Sequence, residues 1–174
     1  MLIEIAKQQL RKAGWYEGRK IDLTKYEEGY AKLGCELFPA ARKFLEEYGD
    51  LDIQDKYISP VTDMNGNPTT SINSSLINVA NCCGHRDREL EEMVYELFGQ
   101  KVLRVGLINH GNIFIYISED GRFFVNWYFD GLWAENSDQL WNEYYGEEYG
   151  RASWEDLKAG KGRTMFKKKV KKYL

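Results

Sequence analysis

The chain has 174 residues, 43% apolar and 29% charged, a composition that fits one folded domain and excludes a disordered polymer. Its net charge of −3 conceals a split: from Lys158 onward there are seven Lys, one Arg and no acid, so residues 1–157 carry −11. Such a body repels nucleic acid and attracts a basic protein.

Ile3, Ala6 and Leu10, with Ile5 beside them, predict a helix over residues 3–12, stopped by Gly14. Glu4 and Lys7 interrupt its apolar pattern, so it reads as part of the fold and not as a signal peptide. A second helix is expected over 24–33, with Asp22 or Thr24 as its cap and Gly34 at its end. A third begins at Pro39, a residue favoured in a first helical turn, and buries Ala41, Phe44, Leu45 and Tyr48 before Gly49.

The pattern then changes. Ile53, Tyr57, Ile58 and Val61 predict short strands, Asn65-Gly66-Asn67-Pro68 a turn, and residues 71–79 another strand. Past Cys82-Cys83-Gly84, a helix over 86–98 has Leu90, Met93, Val94 and Leu97 on its apolar face and Gly99 as its stop. Residues 102–127 read as three extended runs separated by turns at 109–112 and 119–121. The stretches 113–117 and 123–129 are almost continuously apolar, as in central strands covered by helices on at least one face. Leu132-Trp133 is placed as an edge strand, Asn136 or Ser137 caps a helix through Tyr145, and a short helix near Trp154 precedes the basic end. These elements make an α+β single domain with a mainly antiparallel sheet of about four to six strands flanked by helices. Residues 1–150 form the domain and 151–174 an extension ending in a basic tail.

No apolar run approaches the ~20 residues of a membrane span. Three cysteines, two of them adjacent, make no disulfide framework and point to a reducing cytoplasm. Cys82, Cys83 and His85 are the sharpest chemical candidates, as zinc ligands or as a nucleophilic set with Asp87. Adjacent cysteines do not easily reach one tetrahedral ion, and the other histidine, His110, sits in a turn, so buried structural thiols and a helix-capping Asp87 are the better reading. Asp63, Asn65 and Asn67 around Gly66 echo a calcium loop, but Ile72 stands where its closing Glu belongs. Gly106, Gly111 and Gly121 belong to hairpins and make no phosphate-binding fingerprint. No metal, cofactor or catalytic residue is assigned.

Partner binding is assigned instead to the aromatic and acidic stretch beginning at Trp127. Trp127, Tyr128 and Trp133 would anchor a partner, and Asp130, Glu135, Asp138, Glu143, Glu147 and Glu148 would steer and select it. Trp141, Tyr144, Tyr145 and Tyr149 interleave with these carboxylates. The alternative is a helix with solvated charges and its rings turned inward. The tail, Lys167-Lys168-Lys169-Val170-Lys171-Lys172-Tyr173, reads first as a solvated terminus, and otherwise as a contact for nucleic acid or an anionic membrane, or as a strap folded onto the acidic body.

Leu10-Arg11-Lys12-Ala13-Gly14-Trp15 with Arg19 and Asp22, then Phe44-Leu45-Glu46-Glu47-Tyr48-Gly49, resemble the SUKH superfamily's third subgroup. Leu97-Phe98-Gly99, Val105-Gly106, Ile115-Tyr116-Ile117 and Gly121-Arg122-Phe123-Phe124 continue the likeness in order, so that it spans about residues 2–146. The usual proline before the mid-sheet glycine is replaced by Arg104-Val105, a departure expected to touch a loop. The resemblance implies an immunity protein of a bacterial polymorphic toxin system, which binds and blocks a cognate toxin domain, often a nuclease, and is not an enzyme. The competing readings are an adaptor for nucleic acid or the ribosome acting through the tail, and a small cysteine-dependent enzyme. Neither membrane nor nucleic acid is the expected partner, and the oligomeric state is left open.

Overall fold

Helices form where apolar residues recur at 3.6-residue spacing and a capping group satisfies the first turn. In the computed structural model, which describes residues 1–126 and 131–174, α1 (Glu4–Lys12) buries Ala6, Gln9 and Leu10. Next comes α2 (Thr24–Lys32), burying Tyr26 and Tyr30. Its N-cap is Leu23 without any side-chain cap; Thr24 Oγ1 donates to Asp22 Oδ1, and neither expected residue accepts from the helix's first turn. With Pro39 in its first turn, α3 (Pro39–Tyr48) buries Ala41, Phe44, Leu45 and Tyr48.

The short strands expected after Gly49 are one twelve-residue strand, β1 (Leu51–Thr62), which pairs with β2 (Pro68–Ile77). Ser59-Pro60 falls within the register shift between Ile58 and Thr62, where a missing N–H is tolerated. Where the strand was expected to run on to residue 79, Asn78 Oδ1 accepts from Asn81 N at 2.9 Å and starts a helical turn, α4 (Val79–Cys83). Asp87 caps α5 (Arg88–Phe98) through Leu90 N at 3.1 Å.

Then β3 (Val102–Ile108), β4 (Ile113–Ser118), β5 (Phe123–Asn126) and β6 (Gly131–Ala134) form an antiparallel meander. Arg104-Val105 lies inside β3 at a register shift, and not in a loop. Capped by Asn136, α6 (Ser137–Tyr145) follows. Beyond it β7 (Glu148–Ser153), α7 (Trp154–Lys158) and β8 (Thr164–Lys167) complete the chain.

Among the described residues there are therefore seven helices and one sheet of eight strands in sequential order, more strands than the four to six expected. The sheet is antiparallel throughout and curls into a half-barrel. Consequently β6 is no edge strand: it pairs with β5 on one side and β7 on the other. Gly131 permits the second pairing, because a Cβ there would stand 2.0 Å from Ala152 O.

At β4, β5 and β6 both sheet faces are covered, which explains the continuous apolar runs. Ile113, Ile115, Ile117, Phe123 and Val125 face the larger core with α1, α2, α3 and α6. Tyr116, Phe124 and Leu132 face the smaller one with Leu90 and Val94 of α5. Alternate residues of β4 and β5 thus enter different cores.

Candidate functional site

Trp127, Tyr128 and Asp130 lie outside the described residues. Downstream, α6 settles where the other proposed residues go. Its buried face consists of Leu140, Trp141, Glu143 and Tyr145. Trp141 lies 5.5 Å from the Tyr48 ring, and Trp133 is only 8% exposed in the same core, so both rings face inward and cannot anchor a partner while the domain is folded. Tyr144 accepts a hydrogen bond from Asn73 Nδ2 at 2.8 Å, and the Tyr145 hydroxyl donates to the Asp55 carboxylate at 3.0 Å. Tyr149 stacks on Phe166 across β7 and β8.

Glu143 also points inward. Its Oε2 accepts from Gly150 N at 2.8 Å and from Arg163 Nη2 at 2.5 Å, and the two charged side chains are 8% and 9% exposed. Glycine at 150 leaves room for this pair, since a Cβ there would stand 2.6 Å from Arg163 Nη2 and push the guanidinium aside. Glu143 is a structural ion partner, held by a cation twenty residues further along the chain.

The remaining carboxylates are accessible. Glu135, Glu147 and Glu148 are exposed, and Asp138 is half-buried and paired with the Met1 ammonium at 2.6 Å. Asp138, Glu147 and Glu148 share a shallow depression of about 630 Å³ with Ile3, Asn142 and the half-exposed Met165. Glu135 lies apart from that lining.

The chemical candidates resolve into structural roles. Cys82 is 1% exposed, and burial pushes its thiol far above the usual range. Burial likewise pushes the Cys83 thiol up to about 11, and its Sγ points at Tyr26 O. Both sulfurs hold their protons at neutral pH, whereas attack or metal ligation needs the thiolate. Asp87 caps α5 and accepts from Asn126 and, at 3.4 Å, from Tyr116. Asp63 closes the β1–β2 turn by accepting from the backbone of Asn65 and Asn67, both at 2.8 Å. Among the described residues no group of three His, Cys, Asp or Glu is placed to hold a metal ion, and no helix is long and apolar enough to cross a membrane.

The basic end is folded against β1. Ile58 N donates to Lys172 O at 2.9 Å and Leu174 N to Lys56 O at 2.8 Å. The Tyr173 ring sits 5.5 Å from Tyr145, and Lys171 Nζ lies 4.3 Å from the Tyr57 ring centre. Lys168 Nζ donates to Tyr144 O at 2.7 Å, and burial, with Lys171 nearby, brings its pKa down to about 8. Lys167, Lys169 and Lys172 remain exposed.

One surface was missed by the sequence reading: a groove along α5, walled by Glu92, Tyr95 and Glu96 and floored by Val102 and Leu103. Its signal was the run of glutamates flanking Tyr95 on the polar face of that helix.

One antiparallel sheet clad by helices on both faces, with carboxylates along its rims, defines an α+β domain that offers surfaces to a partner. The model of the SUKH-3 immunity protein family matches residues 4–145, and the chain belongs to that family, whose members are non-enzymatic toxin inhibitors. This span coincides with the one read from the motifs between residues 2 and 146. Nothing among curated proteins or solved structures matches the chain.

Proposed function

We propose that the chain binds and neutralises the toxin domain of a polymorphic toxin system, a basic domain such as a nuclease, in the cytoplasm of the cell that makes both. The family match over residues 4–145 carries this reading. The charge of −11 over residues 1–157 supports a cationic target, and the three free thiols suit a reducing compartment. The exposed Glu135, Glu147 and Glu148 with the half-buried Asp138, continuing the Trp127-Tyr128 and Asp130 stretch, are proposed as one docking face.

The test uses the toxin domain encoded beside the gene, purified in a catalytically dead form and titrated calorimetrically. A one-to-one complex that weakens with added salt is expected, together with rescue of growth on co-expression with the active toxin. Absence of a complex at low salt refutes the proposal. Residues 168–174 are largely engaged with the body, so a chain lacking them should still neutralise; an adaptor acting through the tail would instead lose its binding.

A further inference from the structure

The groove along α5 has a volume of about 650 Å³ and shares no lining residue with the depression beside α6. One wall is α5 itself, the other is the loop from Gly34 to Phe38, and Glu119 of the β4–β5 turn closes one end. Cys35, Phe38, Val102 and Leu103 give it an apolar lining. The volume suits a few side chains of a bound segment.

Its walls are fixed in place. Arg86 donates from Nε to Glu91 Oε1 at 3.0 Å and from Nη2 to Glu91 Oε2, while its Nη1 reaches Leu33 O at 3.3 Å. That fork ties the start of α5 to the end of α2. At the other end Lys101 N donates to Glu119 Oε2 at 2.8 Å, and Glu119 N donates to Lys101 O at 3.1 Å. A groove already ordered costs little conformational entropy when it is filled.

The rim states what should fill it. Glu36, Glu92 and Glu96 are exposed and, among the described residues, have no ion-pair or hydrogen-bond partner. Five carboxylates face two cations, and one of those cations, Arg86, is committed to Glu91. Tyr95 stands 62% exposed between Glu92 and Glu96, a large ring left in water beside an apolar floor. Tyrosines in this position are frequent interface anchors. A nucleic-acid strand is repelled by such a rim. This chain's own basic tail is engaged at β1. The Cys35 thiol is pushed up by burial, so the groove offers no reactive sulfur.

We infer that the α5 groove is a docking site for a cationic segment of the toxin, one that presents a leucine- or phenylalanine-sized side chain to Val102 and Leu103 between flanking Lys or Arg residues. This rests on the toxin-binding reading and adds a second contact face to it. The apolar side chain supplies affinity, and the glutamates select and orient the flanking cations.

Two arms separate this inference from the reading beneath it. In the first, the isotope-labelled full chain is titrated with a blocked pentapeptide, leucine between two lysine pairs, against a control with serine in place of leucine. The expected result is amide shifts concentrated at Glu36, Tyr95, Glu96 and Lys101, weaker by at least about tenfold in Tyr95→Ala or in Glu92→Lys/Glu96→Lys. Shifts centred on residues 135–148, or none at millimolar peptide, overturn the inference. In the second arm the same variants meet the cognate toxin, with thermal midpoints as a folding control. Wild-type affinity in the variants overturns the groove and leaves toxin binding standing. A wild-type chain that takes the peptide in the groove but binds no toxin overturns the toxin reading, and with it the toxin as occupant, while the groove stands as a site for a cationic segment with an apolar side chain.

Discussion

Arg163→Met should be the most damaging conservative-sized change in the C-terminal segment. Arg163 and Glu143 are 9% and 8% exposed, and removing the guanidinium leaves the carboxylate buried with the Gly150 amide as its remaining hydrogen-bond donor. Breaking a buried pair on one side costs about 3–5 kcal/mol, because the orphaned charge keeps its desolvation penalty. Lys168, whose ammonium feels Glu143, offsets part of this and places the expectation near the lower figure. A loss of roughly 3 kcal/mol is a large share of the ~5–15 kcal/mol that holds a domain together. Gly150→Ala should reach the same state by another route, since its methyl would displace the guanidinium. The double variant Glu143→Gln/Arg163→Met removes both charges and should recover most of the loss, an interaction of more than about 1 kcal/mol in the mutant cycle. Urea unfolding at neutral pH, with unchanged slope, is the measurement. A single-variant cost below about 1 kcal/mol, or strictly additive single costs, would mean that water reaches the pair and that Glu143 is not a structural ion.

Two further outcomes follow from buried groups. Asp55 is 1% exposed, and burial pushes its carboxyl up to about 6, against the opposing pulls of the Tyr145 hydroxyl and of Lys171 and Lys12. The unfolded chain titrates near ~3.9, so between these values the folded state holds more protons; stability falls as pH rises from about 4 to 6 and levels above 7, by roughly 3 kcal/mol. Asp55→Asn should flatten that part of the profile of thermal midpoint against pH, and an unchanged slope would refute the assignment. The thiols give the second test. With Cys82 fully buried and Cys83 held near 11, a disulfide reagent at mild alkaline pH should label neither quickly in the native chain, whereas all three cysteines react in denaturant. Rapid native labelling of Cys83 would reopen a chemical role for it.

What the sequence made legible was local. The apolar spacing of α1, α3 and α5, and the caps at Asp87 and Asn136, depend on residues within a turn of one another, so they could be read directly. The strands β7 and β8 could not: they are short, with one or two large apolar or aromatic residues each among small and charged ones, and what places them is the pairing of β7 with β6, of β8 with β7, and the Tyr149–Phe166 stack. Counting strands failed for the same reason. At the candidate face, exposure of Glu135, Glu147 and Glu148 was legible from charge, but the direction of the rings was not. Leu132 and Trp133 point to opposite sheet faces, and because both faces are covered, neither direction leads to water. Glu143 reads as solvated in any local window; Arg163, twenty residues away, makes it internal.

This geometry also changes how the two acidic rims compare. Along β7 and β8, Glu148 is directly opposite Lys167, an oppositely charged cross-strand pair, and Asp138 is neutralised by the Met1 ammonium. Of the described carboxylates proposed beside α6, Glu135 and Glu147 face no cation, and Glu148 faces Lys167 across the strands without an ion pair. Around the α5 groove, Glu36, Glu92 and Glu96 have no ion-pair partner among the described residues, and the floor between them is apolar and shaped in advance. A basic partner approaching a chain whose tail has already been laid against β1 meets at α5 three exposed glutamates with no ion-pair partner among the described residues. The two faces therefore differ in kind: reversing Glu147 should alter mainly the salt dependence of association, whereas truncating Tyr95 should alter how long the complex lasts.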